Sequence, residues 1–494
     1  MAATGCFTIP VFLICSHFRR INETPLPLPK TRQMSIKEKA AQLWARSAIF
    51  VSGSRSDMMR YRPQPKTLRD LVHKREGTNM RTAGVWNRRN FLSSLGVVAA
   101  AWPGSALARS RKAAAAASAS GNIYKELGVK TMINAWGTIT VIGGSLIPPE
   151  AVAAMSAAAE HYVSIPDLLE ATGDRVGKML KDLPSGHSAT ITSGAAGAIM
   201  CGVAGTLTGE NKDLIRQLPD LTGMKSEVLM LKSQHQHYGY NPQILASGVK
   251  IVEVESPDDV RQAVTEKTAL MFFVNYLDET SEIRVADWAK LGRQYNVPTF
   301  NDCAADTPPV SHLTDYNNMG YDLVAFSGGK GLRGPQCAGL LLGRKDLVRA
   351  ARFNSAPFAP TIGRGMKVGK EEIVGMWKAL EVYLSNDQEK LTQEWWDRLH
   401  YVSKQVRSVK GVTTSDYVPP IANHVPTMRI EWDAQKVALT TAQAVEFLQS
   451  GDPAVMVQGE AGGHSLSMTS FMLKPGEERL IASRMKEMFK AHKA

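Results

Sequence analysis

Ser327-Gly328-Gly329-Lys330-Gly331-Leu332-Arg333-Gly334-Pro335-Gln336 follows an apolar run, Leu323-Val324-Ala325-Phe326, that reads as a buried parallel strand. A lysine therefore stands just past the strand's carboxyl end, between glycines that leave its amine unobstructed. In open parallel sheets chemistry gathers at that edge. A lysine withdrawn from water there has a lowered pKa and a nucleophilic amine, the properties of a Schiff-base residue. A surface lysine in a glycine turn would carry the same residues. A nucleotide P-loop would not, because Gly331 stands where Ser or Thr must follow the lysine.

On either side of this stretch the chain alternates strand and helix. Strands are predicted at Ala189–Thr192, Val228–Leu231, Val249–Val254, Ala269–Asn275, Val297–Asn301 and Leu323–Phe326. Helices are predicted at Pro149–Tyr162, Leu168–Leu183 and Val285–Gln294, and Ser256 with Asp259 reads as a capping box. Repeated strand–helix units imply an α/β fold with a mostly parallel sheet covered on both faces. Ala338–Leu342 follows Lys330 too soon for a crossover helix, so it reads as an antiparallel hairpin partner. Amphipathic helices are expected at Glu371–Leu384 and Gln388–Val406. A smaller mixed region follows, with a strand at Thr427–Trp432 and helices at Thr441–Gln449 and Glu477–His492.

The chain has 494 residues and a net charge of +12. Residues 1–120 hold 20 Lys+Arg against 5 Asp+Glu, and the remainder holds 38 against 41. The body is thus close to neutral, and its composition gives no support for a large nucleic-acid surface. Cys201, Cys303 and Cys337 in the body lack metal-ligand spacing and form no disulfide framework, and no metal site is expected. Near the N-terminus, Asn87-Arg88-Arg89-Asn90-Phe91-Leu92 is a twin-arginine signature. An apolar segment to Leu107 and an Ala106-Leu107-Ala108 cleavage site follow it. The organisation expected is an extension at 1–79, an export signal at 80–108 and a linker at 109–120. A large domain with an N-terminal arm follows at 121–360, then a small C-terminal domain at 361–494. The signal places the protein in the periplasm, or in the cytoplasm if unused.

Several residues have the chemistry to join Lys330. Ser193-Gly194-Ala195-Ala196 sits at a strand-to-helix junction, where free N–H groups and the helix dipole hold phosphate. A plain helix cap would look the same. Asp302 ends a strand in the preceding β-unit and is placed to pair with a protonated pyridine nitrogen, or to cap the next helix. Ser327 can reach a phosphate. His235 and His237, after the Val228–Leu231 strand, are candidates to stack on a cofactor ring. Arg333 and Arg364 are candidates for an anionic substrate group, and Asn134 for a further substrate contact. Each of these could equally be a solvated or structural side chain.

The lysine stretch, with Ile133-Asn134-Ala135, Gly143-Gly144-Ser145, Thr192-Ser193-Gly194-Ala195-Ala196, Leu218-Pro219-Asp220 and Met366-Lys367-Val368-Gly369-Lys370, resembles the bacterial selenocysteine synthase (L-seryl-tRNA(Sec) selenium transferase) family. The similarity covers roughly residues 121–494 and points to the branch that includes D-glucosaminate-6-phosphate ammonia-lyase. It implies fold type I of the pyridoxal-phosphate-dependent transferases, with a seven-stranded-type sheet between helices and a smaller C-terminal α/β domain. It implies pyridoxal 5'-phosphate held by Lys330 as a Schiff base, Asp302 at the pyridine nitrogen, and Ser193–Ala196 with Ser327 at the phosphate. The chain departs from the family's pattern in having an export signal where selenocysteine synthase carries a tRNA-binding domain. The implied reaction is α,β-elimination or β-replacement on a small amino acid or amino-sugar acid, in a homodimer or larger homo-oligomer that does not use tRNA. An aminotransferase on the same scaffold, or a binding protein without catalysis, are the other readings.

Overall fold

A computed structural model describes residues 123–459 and 463–493; the extension, export signal and linker read from the sequence lie outside them. The first strand, β1 (Met132–Asn134), precedes two helices, α1 (Pro149–Ala159) and α2 (Ile165–Met179). The strands β2 (His187–Thr192), β3 (Glu227–Leu231), β4 (Lys250–Val254), β5 (Thr268–Val274), β6 (Thr299–Asp302), β7 (Leu323–Ser327) and β8 (Gly339–Arg344) follow. They build one seven-stranded sheet in the order β2-β8-β7-β6-β5-β3-β4. Only β8 is antiparallel to its neighbours within this sheet. It is the expected partner of β7, but it also pairs with β2 on its other edge. That second pairing makes β2 parallel to β7 and puts their carboxyl ends at the same edge.

The apolar runs form strands because they are buried on both faces. All seven residues of β5 are buried. Phe273 packs with Trp288 and Tyr321 on one face, and Phe272 with Phe300 and Tyr238 on the other. Each face thus has its own core, and burying one such ring contributes roughly 2–3 kcal/mol. The helix α3 (Gly194–Thr208) is made of small residues because it is wedged. A Cβ on Gly202 would lie 2.5 Å from the Phe300 ring, and one on Gly205 2.7 Å from the Ala351 nitrogen.

Two local expectations need correction. The predicted helix at 168–183 starts earlier, where Ser164 Oγ accepts from Asp167 N–H, and ends at Met179. At position 259 the reciprocal half of the capping box shifts: Asp259 Oδ2 accepts from Glu255 N–H at 3.1 Å, while Ser256 Oγ accepts from Asp259 N–H. The full capping box in the chain's C-terminal part is Thr440 with Gln443.

The helices α4 (Lys370–Ser385) and α5 (Gln388–Val406) lead into a second sheet. Its members are β9 (Val412–Tyr417), β10 (Thr427–Trp432), β12 (Gln458–Gly459) and β13 (Ser465–Thr469), antiparallel in the order β12-β13-β10-β9. The remaining strand, β11 (Ala454–Met456), pairs in parallel with β1. Helix α6 (Glu477–Ala491) closes this core with Met485 and Phe489 beside Trp432 and Ile430. No described helix is long and apolar enough to cross a membrane.

Candidate active site

The register of the large sheet brings the sequence candidates to one edge. Val274, Asp302 and Ala325 are aligned across β5, β6 and β7. Two residues further along β7, Ser327 aligns with Gly339, which aligns with Thr192 on β2. Ser193 is the next residue, so the turn into α3 lies beside the turn that carries Lys330. The lysine turn is folded tightly on itself. Gly328 N–H donates to Ala338 O, and Gly334 N–H donates to Gly328 O. A Cβ at Gly331 would fall 1.9 Å from Thr307 O.

Lys330 Nζ has no hydrogen-bond partner among the described residues. Loss of water lowers its pKa, and the negative charges of Asp302 and Asp306 partly oppose that. Asp302 is buried. Burial raises its pKa, while hydrogen bonds and the Lys330 charge pull the other way. Its Oδ2 accepts from Tyr238 OH at 2.6 Å, and its Oδ1 from Ala304 N–H at 3.0 Å.

A third ionisable group, Asp306, went unremarked in the sequence. It is buried, with Oδ2 accepting from Asn275 Nδ2 at 2.9 Å and Oδ1 left without a partner. Asn275 Nδ2 also donates to Tyr316 OH, and Asn301 Nδ2 donates to Asn275 Oδ1. Burial, and then the charge of Asp302, push the Asp306 carboxyl up to about 7. The available signal was a polar residue, Asn275 or Asn301, at or just past the end of an otherwise apolar strand.

The other candidates divide. Ser193 caps α3 with its backbone only, and its side chain makes no capping bond. Gly194 has φ of +66°, a left-handed conformation that suits glycine. A Cβ built at Gly194 would meet nothing nearer than Cys337 O at 4.0 Å, so the helix end opens onto free space. The absence of a Cβ at Gly339 admits this turn, since one there would lie 2.4 Å from Gly194 C.

His235 and His237 are not joined to Asp302. His235 is paired with Glu253 at 2.6 Å, and His237 is exposed, with Nδ1 on Ser233 O. The short helix Lys232–His237 ends there, and Tyr238 turns inward to Asp302. Tyr276, whose OH donates to His237 O, lies close enough to feel the Asp302 charge.

Asn134 is used internally. Its Oδ1 accepts from Trp136 and Gly137 N–H, and its Nδ2 donates to Gly137 O. Arg333 donates from Nε to Leu146 O. Arg364 is exposed, two residues before Met366, which packs on Gly197 in the first turn of α3. The loop between β9 and β10 also reaches the site. Asn423, in a left-handed conformation, donates N–H to Ala305 O and accepts at Oδ1 from Thr138.

The donor set fits pyridoxal phosphate. An open helix N-terminus with free amides suits a phosphate, a buried carboxylate suits a pyridinium N–H, and a desolvated lysine suits an aldehyde.

The sequence model of a family described as SelA, L-seryl-tRNA selenium transferase, matches residues 132–411. Over 381 residues the chain is 29% identical to the D-glucosaminate-6-phosphate ammonia lyase of Salmonella typhimurium, covering 74% of this chain and 98% of that protein. It is 26% identical over 381 residues to a 5'-C-glycyluridine monooxygenase-decarboxylase of a Streptomyces species, covering 75% and 92%. A solved structure of D-glucosaminate-6-phosphate ammonia-lyase matches with a TM-score of 0.65 at 27% identity, covering 76% of this chain and 99% of the other.

Proposed function

The chain belongs to the L-seryl-tRNA selenium transferase family, and from that membership we propose that it catalyses α,β-elimination or β-replacement on a small amino acid or amino-sugar acid. It is a pyridoxal-5'-phosphate-dependent enzyme of the transferase and lyase class, built on fold type I. The observation that carries the proposal is Lys330, a desolvated amine on the same sheet edge as a buried aspartate and an open helix N-terminus.

Pyridoxal phosphate supplies an electron-accepting ring that stabilises negative charge on a substrate's α-carbon. Asp302 would hold the ring nitrogen with its proton. Ser193, Gly194, Ala195, Ala196 and Ser327 would hold the phosphate. Lys330 would tether the cofactor and, once displaced by the substrate amine, take the α-proton at Nζ. Its lowered pKa favours the neutral amine that this requires. A leaving group on the β-carbon would then depart. The two relatives bear the names of different reactions at similar identity, so elimination or replacement is the part of this proposal that a substrate screen must decide.

Three further readings belong to this proposal. The body's near balance of 38 basic and 41 acidic residues beyond position 120 speaks against a tRNA substrate. Val141, Leu146, Tyr162 and Val163 are large apolar side chains left exposed near the arm, which supports assembly into a homodimer or larger oligomer. The twin-arginine signature supports export to the periplasm with the cofactor already bound.

The test uses protein from Arg109 onward, reconstituted with pyridoxal phosphate. Borohydride reduction and peptide mapping are expected to find the label on Lys330. Incubation with amino acids and amino-sugar acids bearing a β-leaving group is expected to release ammonia and a keto acid. Transfer of the amino group to a keto-acid acceptor without free ammonia would replace this reading with an aminotransferase. Absence of any cofactor binding would leave a non-catalytic scaffold.

A further inference from the structure

Beside the lysine turn lies a second cleft, lined by Gly331 and Arg333 from that turn, Tyr383 from α4, Trp395 and Arg398 from α5, and Lys474 before α6. Lys330, Asp302, Ser193, Ser327 and Tyr238 are not among its walls. It is therefore set beside the residues that fit pyridoxal phosphate and not among them, and it adjoins them at Gly331 and at Pro308, two residues past Asp306.

Its chemistry is that of an anion site. Arg333, Arg398 and Lys474 stand against one carboxylate, Glu394. Glu394 is committed to Arg398 Nη2 at 3.3 Å, and Arg398 Nη1 donates to Leu473 O at 3.1 Å. Arg333 has no carboxylate partner among the described residues. Although the residue as a whole is exposed, partial loss of water holds its guanidinium below the usual arginine value. Its backbone is held at a φ of +55°, a conformation that side-chain-bearing residues seldom adopt. The Tyr383 hydroxyl is an independent sign of a missing ligand. The residue is 7% exposed, and its oxygen has no hydrogen-bond partner. A buried hydroxyl of that kind carries a real penalty unless something binds it. The opposite wall is apolar, with the Trp395 ring meeting Phe471 edge-on at 5.9 Å.

We propose that this cleft is a second binding site, for a small organic phosphate. With the Arg398–Glu394 pair cancelling its own charge, the Arg333 guanidinium and the Lys474 ammonium leave two positive charges, which suit a dianion. The Tyr383 hydroxyl is a donor for one phosphate oxygen. The Trp395–Phe471 wall suits a short carbon chain in place of water.

The experiment is isothermal titration of the cofactor-loaded protein, so that the phosphate cradle at α3 is already filled. The probes are glycerol 3-phosphate and inorganic phosphate. Saturable binding of glycerol 3-phosphate, one per chain, is expected, with inorganic phosphate at least several-fold weaker. Arg333→Gln is expected to weaken glycerol 3-phosphate by tenfold or more. Tyr383→Phe, which keeps the ring and its packing, is expected to weaken it about threefold to tenfold. No saturable heat in the unmodified protein, or equal affinity in it and the Tyr383→Phe variant, overturns the site. Inorganic phosphate binding as tightly as glycerol 3-phosphate overturns the assignment of an organic ligand.

Discussion

Asp302 ends β6 and Asp306 stands four residues on, in the loop that follows, and the two carboxylates are held differently. Asp302 has both oxygens engaged, whereas Asp306 keeps one oxygen without a partner. The groups facing Asp306 are Asp302, Lys330, Cys303 and Asn275, with Tyr316 one hydrogen bond further on. With the folded value raised to about 7 from 3.8, the folded state binds this proton more tightly than the unfolded chain does. The resulting stability is present below the unfolded value and is lost as pH rises through the folded one. Asp306→Asn in the cofactor-free protein should therefore raise the melting temperature at pH 8.5, by up to about 4 kcal/mol of stability. The gain should shrink steadily towards pH 4. A difference independent of pH would assign the effect to packing.

Tyr238→Phe removes the hydroxyl that Asp302 accepts from and leaves that carboxylate oxygen buried without a partner. Cofactor affinity is expected to fall about tenfold, from the roughly 1–3 kcal/mol attached to such a loss. Equilibrium dialysis of the two proteins measures it. Lys330, Asp302 and Ser193 were legible in the sequence because each stands at the end of an apolar run. Tyr238 was not. It stands one place after His237, and only the stopping point of the short helix Lys232–His237 decides which ring points inward.

Among the secondary elements, α3 matters most to the site, because its first turn supplies the open amides and its length fixes where they point. Gly205 meets the backbone of the Lys345–Phe353 helix, where neither partner can yield by rotating a side chain. Gly205→Val is expected to destabilise the fold by about 3 kcal/mol or to shift the helix. In urea unfolding the midpoint should fall well below that of the unmodified protein. Central strands such as β5 and β7 were readable from composition, since burial on both faces demands apolar runs, while β2, β4 and β6 were read from their place in the strand–helix alternation. The insertion of β8 between β7 and β2 was not, because strand order is set by pairing partners and leaves no mark on periodicity. Strand β9 left no alternating mark in the sequence, because Ser415, Asp416 and Tyr417 at its end are all exposed.

For the assembled protein, the exposed apolar residues around the arm make a prediction about mass. Light scattering of the protein from Arg109 onward should report at least two chains per particle. Val141→Asp combined with Tyr162→Asp should shift it to one. A particle that keeps its mass in the double variant would place the interface elsewhere. The charge balance of the body was likewise legible from the sequence, whereas the cleft holding Arg333, Tyr383 and Lys474 gathers residues far apart in the chain and could not be.

The parallel pairing of β1 with β11 has a temporal meaning. Met132–Asn134 leaves the ribosome long before its partner Ala454–Met456 has been made. The arm therefore has no lasting seat until that distant strand has been made, and its docking is a late, long-range event of folding. Thr138, which reaches Asn423 over the Asp302–Asp306 loop, follows that strand by four residues. The pocket is thus completed by the two ends of the body meeting, so a chain cut short before residue 454 would hold the lysine and the aspartate and still lack a closed room in which to use them.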